Sequence, residues 1–441
     1  MLWSQTAADA NTPTSRPVPL VVADSAQLAE ALGEAGPGTE IHLAPGVYRG
    51  GVSVADILGR ADAPIIVQAA DTINPPVFEG MKEAIKLSRC SWITLRGLHF
   101  RGCRSNGINV DDGGDESTPS MNIVFEDLSF ADIGPSGNHD AIKLSGVRGF
   151  IVRNCRFRGW GGSAIDMVGC HNGLVDRCRF EGVAGYRQKN ALQIKGGSSY
   201  VLAQRCLFLR AGERAVSIGG QTGAAYFRPS SATTEARHVT VAGNRFVGGE
   251  AHIAWVTSRQ TRVHHNLFYQ PEKWIARVLQ ESTDKRFRRC GAGQFRANVI
   301  VTDARVASLV NVGPSTEPDS FHFARNVAHR LGGESPPVGG IAEFSPIRDV
   351  ELSVETPDSD ELRIRSGDPR MEDIGPGGYD PMEVDGPADL AVPPVELDIR
   401  DLSGDPAAVG VYVLAAVGLA VLIAATVYAY PLIRARQRRR R

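Results

Sequence analysis

The sequence predicts an all-β fold in which the chain winds into a right-handed, single-stranded parallel β-helix. The first of two supporting observations is a short tripeptide that ends in an apolar residue and recurs every 22 to 38 residues. A period of this length is typical of stacked repeats. The tripeptides begin at Leu98, Leu128, Cys155, Cys178, Cys206, Asn244, Asn266, Asn298 and Asn326.

The second observation is a segment of alternating apolar and polar residues that follows most of these tripeptides. Such alternation is typical of a half-buried strand, and a helical repeat would require stripes spaced by 3.6 residues. Equivalent residues of neighbouring coils lie about 4.8 Å apart in stacked parallel strands. We therefore expect Cys155, Cys178 and Cys206 to stack inside the helix and to continue into the asparagines from 244 to 326. The alternating segments are 107–110, 141–144, 164–167, 191–194, 215–218 and 252–255.

The pattern divides the chain into five parts. We predict a disordered N-terminus (1–17), a β-helix (18–350), an acidic Pro/Gly-rich segment and spacer (351–406), a transmembrane helix (407–433) and a basic cytoplasmic tail (434–441). Within the β-helix, residues 24–35 predict a short amphipathic helix that covers the open end of the first coil, with Asp24 as its N-cap. Residues 380–405 are expected to form the spacer.

The predicted membrane span contains no charged residue and is long enough to cross a bilayer. Six arginines follow between 434 and 441, and the positive-inside rule places that end in the cytoplasm. We therefore expect a single-pass membrane protein whose β-helix lies on the extracytoplasmic side. A buried core helix is the alternative, but a terminal segment that is apolar on all sides fits it less well.

Charge and cysteine content narrow the classes of partner. A formal net charge of −1 gives no overall signal for binding nucleic acid, and we expect no such partner. The seven cysteines show no CxxC spacing of the kind that binds zinc. We expect a monomer.

The outward-facing positions of the alternating strands hold the candidate chemistry. Lys143, Asp166, Gln193 and Lys195 should lie on three consecutive coils, within about 10 Å of one another. Titratable groups of different types placed together are what acid–base catalysis needs. The alternative is a solvated ladder of surface salt bridges, which contributes little to stability. The outward column reads Asn109, Lys143, Asp166, Gln193, Ser217 and Ala254, with His139, Asp140 and His171 close by.

A long loop from 219 to 229 extends the coil beside this column. Long loops on one face of a solenoid commonly form the wall of a binding groove, so we expect Gln221, Tyr226 and Arg228 to contact substrate. An acidic turn at 111–116 could bind Ca²⁺ through its oxygens, although a solvated turn fits its spacing better.

The chain resembles the right-handed β-helix superfamily of pectate lyases, glycosidases and uronan-modifying enzymes over about residues 18 to 345. Residues 26–28, the stretch PGTEIHLAPGVY at 37–48 and APIIV at 63–67 look like the N-terminal signature of the chondroitinase B and alginate lyase type. The stretches NHDAIKL at 138–144 and SAIDMVGCH at 163–171 look like an uncharacterised bacterial β-helix group.

The resemblance also suggests roles for individual residues. In the lyases a Lys on one coil is followed by an Arg on the next; Lys195 matches the Lys, but Gly219 holds the Arg position. Residues 138–141 and Asp166 partly match the polygalacturonase-like hydrolases, and 138–140 partly match the Pro-His-Asp of mannuronan epimerases.

The function that we predict is cleavage of a uronic-acid polysaccharide by β-elimination. Lys195 would be the base, and His139 or Lys143 the acid or the group that neutralises the uronate. Arg214 or Arg228 would add positive charge, Asp140 and Asp166 would orient the lysines or bind Ca²⁺, and Gln193 and His171 would contact the substrate. Hydrolysis by Asp140 and Asp166, epimerisation and glycan binding without catalysis are the alternatives.

Overall fold

The computed structural model describes residues 18–342, 344–348, 350–356 and 362–390. Each coil contributes one strand to each of three parallel sheets, which we call the first, second and third sheets in the order the chain visits them. The strands of the first sheet are Leu20–Val22, Glu40–Leu43, Ile65–Ala69, Ser91–Arg96, Ser120–Glu126, Val147–Arg153, His171–Asp176, Ser198–Gln204, Ala236–Ala242, Ser258–His264, Gly291–Arg296 and His322–Ala324.

The second and third sheets are nearly as long as the first. The strands of the second sheet are Val47–Tyr48, Val77–Glu79, His99–Arg101, Ser129–Ile133, Arg156–Trp160, Arg179–Glu181, Leu207–Leu209, Arg245–Val247, Leu267–Tyr269, Val299–Thr302 and Val327–Arg330. The strands of the third sheet are Val52–Ala55, Ile85–Ser88, Ile108–Asp111, Ile142–Ser145, Ser163–Val168, Asn190–Lys195, Arg214–Gly219, Ala251–Val256, Trp274–Leu279 and Val310–Val312. The predicted parallel β-helix is therefore confirmed.

Two stacks of like side chains fill the interior, and both follow the predicted register. Phe130 and Phe157 on neighbouring coils stack with ring centroids 5.0 Å apart, within a column of aromatic rings from Tyr48 to Phe268. The polar stack satisfies buried backbone groups, because the side-chain oxygen of Asn266 accepts a 3.0 Å hydrogen bond from the N–H of Asn244. Its hydrogen-bonded members are Cys178, Cys206, Asn244, Asn266, Asn298 and Asn326.

The predicted capping helix spans Ser25–Gly33. The side chain of Asp24 accepts hydrogen bonds from the N–H groups of Ala26 and Gln27, so it is the N-cap. Leu28 and Leu32 are buried on the apolar face of this helix. Short 3₁₀ helices occur at Ala224–Tyr226, Pro318–Ser320, Pro369–Met371, Pro376–Gly378 and Pro387–Asp389.

The chain after the last coil packs back on the β-helix. Strands Ser353–Glu355 and Arg363–Arg365 form an antiparallel hairpin. We expected residues 380–405 to be a spacer, but residues 379–390, which we call the strap, lie across the first sheet. The hydroxyl of Tyr379 donates a 2.7 Å hydrogen bond to Gln204, and Leu390 packs against the apolar cluster that includes Val124. Pairing with polar side chains of the sheet holds this acidic segment in place.

No helix within the described ranges is long and apolar enough to cross a membrane. The predicted span at 407–433, the basic tail at 434–441 and the N-terminal residues 1–17 lie outside those ranges.

Candidate functional site

The outward column of the third sheet has the predicted alignment. Lys143 lies beside Asn109 on one neighbouring strand and beside Asp166 on the other. Asp166 in turn lies beside Gln193, and Val168 lies beside Lys195 in the adjacent column. Strand register thus brings Lys143, Asp166 and Lys195 to one face, and Asp140 joins them from the turn just before the Lys143 strand.

Asp140, Lys143, Asp166 and Lys195 form a network that we call the charged cluster. Lys143 Nζ lies 2.7 Å from Asp166 Oδ2 and 3.1 Å from Asp140 Oδ2. Lys195 Nζ lies 3.2 Å from Asp166 Oδ1 and donates a 3.0 Å hydrogen bond to Gln193 Oε1. Two ammonium groups and two carboxylates therefore balance each other.

The carboxylates of the cluster lie beneath its ammonium groups. Asp140 and Asp166 have no exposed side-chain surface, whereas 21% of Lys143 and 13% of Lys195 is exposed. A solvated surface ladder therefore does not describe this cluster. A ligand can reach it only through the two ammonium groups.

The surroundings of the two carboxylates move their pKa values in opposite directions. Burial raises the pKa of Asp140 to about 6, and the charge of Asp166 adds to this effect. Burial also disfavours ionisation of Asp166, but Lys195 and Lys143 outweigh it and lower the pKa of that carboxyl. Burial opposes the charged form of Lys143 too, yet Asp166 and Asp140 raise its pKa, so this ammonium remains charged at neutral pH.

Hydrogen bonds from the backbone fix Asp140 under Lys143. The N–H of Ser163 donates a 2.7 Å bond to Asp140 Oδ1, and the N–H of Asp140 itself donates a 3.0 Å bond to the side-chain oxygen of Asn106. Through its backbone N–H and its carboxylate together, Asp140 therefore contacts three successive coils, at Asn106, Lys143 and Ser163. Because Asp140 is fixed in this way, it can hold the ammonium group of Lys143 in one position, as a preorganised site requires.

A groove of about 470 Å³ opens on the outer face of the third sheet beside the charged cluster. This volume is within the usual range of ligand sites. Its charged lining groups comprise four cations and two carboxylates, and each of the four cations pairs with a carboxylate inside or beside the groove. The lining residues are Lys86, Ser88, Arg89, Asn109, Asp111, Asp112, Gly113, Gly114, Lys143, Ser145, Gly146, Val168, Tyr226 and Arg228.

The loop from 219 to 235 forms one wall of this groove and is fastened at several points. Arg228 Nε lies 2.5 Å from Asp112 Oδ2, and the carbonyl oxygen of Arg228 lies 3.0 Å from His171 Nε2. Gly169, with φ of +64°, allows this close approach, because a Cβ at that position would lie 2.5 Å from Arg228 Cβ. Arg228 therefore holds the loop against coils that are distant in sequence.

The two predicted histidines are placed differently from the cluster. Both ring nitrogens of His171 are engaged, one 2.8 Å from Ser199 Oγ and the other at the Arg228 carbonyl, and burial lowers its pKa to about 4. His171 is therefore neutral at pH 7 and positions the wall loop. The ring of His139 lies against the turn at Gly134 and Gly137 and does not line the groove.

The remaining predicted contact residues separate into two groups. Tyr226 lines the groove with 66% of its surface exposed, and Arg228 lines it from the same loop. Arg214 lies away from the groove, where its Nη2 pairs with Glu281 Oε1 at 2.6 Å. Gln221 is exposed on the loop but does not line the groove.

Sequence reasoning missed Lys86, Arg89 and Glu235. Lys86 lies beside Asn109, so extending the outward column by one coil would have found it. Glu235 is fully buried and accepts hydrogen bonds from the N–H groups of Gly196 and Thr222, which fixes the base of the wall loop. Its loop has no repeat pattern, and no sequence signal marked it.

Calcium does not fit the charged cluster. Lys143 Nζ already lies between Asp140 and Asp166, where a cation would have to bind, and both carboxylates are neutralised without a metal. Within the described ranges, no group of three or more His, Cys, Asp or Glu side chains is arranged to hold a metal ion.

Comparison with known proteins finds a family match in the central part of the chain. Residues 83–268 match the family model described as right handed beta helix region. The match agrees with the right-handed parallel β-helix that the structure shows. No curated protein matches the chain.

Several solved β-helix structures superpose on this β-helix protein. An alginate lyase from Paenibacillus sp. str. FPU-7 does so with 19% identity and a TM-score of 0.45, covering 73% of this chain and 98% of the lyase. The PL6 family alginate lyase AlyGC has 13% identity and a TM-score of 0.48, and the superposition covers 81% of this chain and 56% of the lyase. The A-module of the Azotobacter vinelandii mannuronan C-5 epimerase AlgE4 has 10% identity and a TM-score of 0.46, and the superposition covers 73% of this chain and 97% of the A-module. Likeness at this level concerns the fold alone.

Proposed function

We propose that this β-helix protein binds an acidic polysaccharide in the groove and cleaves it by β-elimination. The observation that carries the proposal is the position of Lys143, which lines the groove while two buried carboxylates hold it charged. A uronate carboxylate must be neutralised before the adjacent C–H becomes acidic enough to lose its proton. A fixed ammonium group supplies that charge.

The other steps fall to Lys195, which lies beside the groove-lining Val168, and to Tyr226, which lines the groove. Lys195 makes one ion pair where Lys143 makes two, so proton exchange at Lys195 disrupts fewer contacts and Lys195 is the base. Lys195 first gives one of its own protons to solvent water, then takes the proton from the sugar carbon, and the bond to the leaving oxygen breaks. The exposed phenol of Tyr226 gives that oxygen a proton and recovers one from water. Asp166 positions both lysines.

Hydrolysis is the second candidate, and the opposite pKa shifts of Asp140 and Asp166 favour it. A protonated acid beside an ionised carboxylate is the arrangement that glycosidases use. Both carboxyl groups are buried beneath lysines, however, so a substrate would first have to displace Lys143. Elimination needs no such displacement, and we prefer it.

The experiment follows the products formed from alginate, pectate and chondroitin. Elimination produces unsaturated ends that absorb ultraviolet light, and hydrolysis produces saturated reducing ends. Lys195→Ala should lower the rate about 10²- to 10⁴-fold, as expected for loss of a general base. Asp166→Asn should also lower the rate, because it removes one ion pair from each of the two lysines.

Arg153→Ala is the matched control, because Arg153 belongs to an ion-pair ladder on the first sheet. The ladder consists of Arg96, Glu126, Arg153, Asp176 and Arg205. Its turnover should equal that of the parent. Full activity of Lys195→Ala and Asp166→Asn would move the site elsewhere. If no polysaccharide yields either product, binding without catalysis becomes the better account.

We also propose that the protein is anchored through residues 407–433 with the β-helix outside the cytoplasmic membrane. The support is the uncharged span followed by arginines. Protease added to intact cells that express the protein should digest the β-helix. Protection of the β-helix in intact cells, followed by digestion after lysis, would place it in the cytoplasm.

A further inference from the structure

A second cavity, separate from the groove, lies between the later coils of the second sheet and the C-terminal segment. Its volume is about 500 Å³. We call it the arginine pocket. Its lining residues are Arg245, Leu267, Val299, Leu362, Arg363, Ile364, Arg365, Ser366, Met371, Ile374, Gly375, Pro376 and Gly377.

One side of the arginine pocket is a single column of the β-helix. Arg245 lies beside Leu267, and Leu267 lies beside Val299 on the next coil. Leu267 and Val299 are buried, as is Leu362 from the hairpin. The pocket therefore has an apolar wall that continues directly from a guanidinium group.

The C-terminal segment closes the pocket at a glycine. Gly375 has a φ of +76°, and its N–H donates a 2.8 Å hydrogen bond to the carbonyl of Ala297. A Cβ at this position would lie 2.9 Å from Val299, so the close approach of the backbone requires glycine. The cavity is thus built by a specific contact between the segment and the last coils.

Two of the three arginines in the pocket have no counter-charge among the residues that the structure describes. The guanidinium groups of Arg245 and Arg363 make no ion pair or hydrogen bond with any other residue that the structure describes. Arg365, by contrast, pairs with Glu355 at 3.0 Å. Burial, together with the nearby charge of Arg363, lowers the pKa of Arg245. Like charges held together beside an apolar wall are unfavourable unless an anion accompanies them.

We propose that the arginine pocket is a binding site for an amphiphilic anion. Arg245 and Arg363 bind its oxyanion, a carboxylate or a phosphate, because guanidinium groups match the geometry of these groups. Leu267, Val299 and Leu362 contact its apolar part. The volume is in the range of small-molecule sites. This site does not depend on the function proposed for the groove.

The test measures thermal unfolding of the full chain with four probes, each below its micelle concentration: octyl phosphate, octanoate, inorganic phosphate and octanol. A ligand that binds only the folded state raises Tm. At least one of octyl phosphate and octanoate should raise Tm more than inorganic phosphate or octanol does. Comparison of those two identifies the preferred oxyanion.

Arg245→Leu should abolish the extra stabilisation, and in the absence of any probe it should raise Tm, because an uncompensated charge is removed. Arg363→Leu is a second pocket variant, on an exposed strand, and it should also abolish the extra stabilisation by the amphiphilic anions. Arg156→Leu is the matched control, because Arg156 occupies the same column three coils earlier and does not line the pocket. Its response to the probes should equal that of the parent.

Two results would overturn the proposal. One is an equal response of the parent and both pocket variants to the amphiphilic anions, including no response in any of them. The other is a lower Tm of probe-free Arg245→Leu, which would show that Arg245 stabilises the fold itself.

Discussion

The charged cluster on the third sheet and the ion-pair ladder on the first sheet are built from similar parts. In the ladder, Asp176 is nearly buried and pairs with Arg205 at 2.7 Å, as Asp166 pairs with Lys143 in the cluster. The two regions differ in whether another segment of the chain covers their cations. The strap covers the ladder, with Glu383 on Arg205 and the carbonyl of Val384 on Arg153, whereas a groove opens over Lys143.

This difference shows that buried ion pairs alone do not identify a functional site. Arginine suits the ladder, because its fork of donors binds two partners at once. Lysine suits the cluster, because its compact charge can hold buried carboxylates and still face a ligand. What distinguishes the candidate site from the ladder is a cation, Lys143, that a ligand can reach.

The largest expected contrast comes from removing one cation from each region. Lys143→Ala leaves Asp140 without any cation, and breaking a buried pair in this way should cost about 3 to 5 kcal/mol of unfolding free energy at pH 7. Arg153→Ala should cost no more than about 1 kcal/mol. The reason is that Glu126 remains partly exposed and keeps its 2.6 Å contact with Arg96. Denaturant unfolding measures both, and equal losses would remove the distinction between the regions.

A smaller effect should appear in the pH dependence of stability. The pKa of Asp140 is raised from 3.8 to about 6 in the folded state, so the folded protein binds a proton that the unfolded chain has released. The folded state therefore loses stability as the pH rises from about 4 to about 6, by up to about 3 kcal/mol through linkage. Asp140→Asn removes this ionisation.

The measurement is the difference in unfolding free energy between the parent and Asp140→Asn across that range. Relative to the variant, the parent should become less stable as the pH increases. A difference that stays constant from pH 4 to pH 7 would contradict the raised pKa.

The smallest effect is expected on the exposed side of the strap. Glu383 is largely exposed at its contact with Arg205, so Glu383→Ala should leave Tm unchanged within the error of the measurement. Tyr379→Phe is the informative companion, because it removes a half-buried hydrogen bond to Gln204 and should lower Tm. If Glu383→Ala lowers Tm as much as Tyr379→Phe, the ion pair at Glu383 holds the strap as strongly as the hydrogen bond of Tyr379 does.

The sequence alone predicted those features of the fold and of the candidate site that follow from the repeat. Side chains alternate between the two faces of each strand, and each coil places one residue at every equivalent position. These two rules predict the stacking of Cys206 on Asn244 and the alignment of Lys143 with Asp166. The burial of Asp140 beneath Lys143 could not be predicted this way, because it depends on the turn before the strand.

Long-range contacts made by segments outside the repeat were also beyond sequence reasoning. Arg214 faces Glu281 and not the groove, and Arg228 reaches back to Asp112 on a much earlier coil. The strap appeared as a spacer because its composition is acidic and rich in proline and glycine. Its partners on the first sheet lie more than a hundred residues away in sequence.

The direction of the strap has a mechanical consequence. It runs backwards along the first sheet, from Tyr379 beside the strand that ends at His264 to Leu390 beside Val124. A pulling force applied to the chain beyond residue 390 is therefore delivered to the middle of the β-helix and not to its last coil. Such a load would first shear the strap along the sheet, and it would pull on the last coil only after the strap has come away.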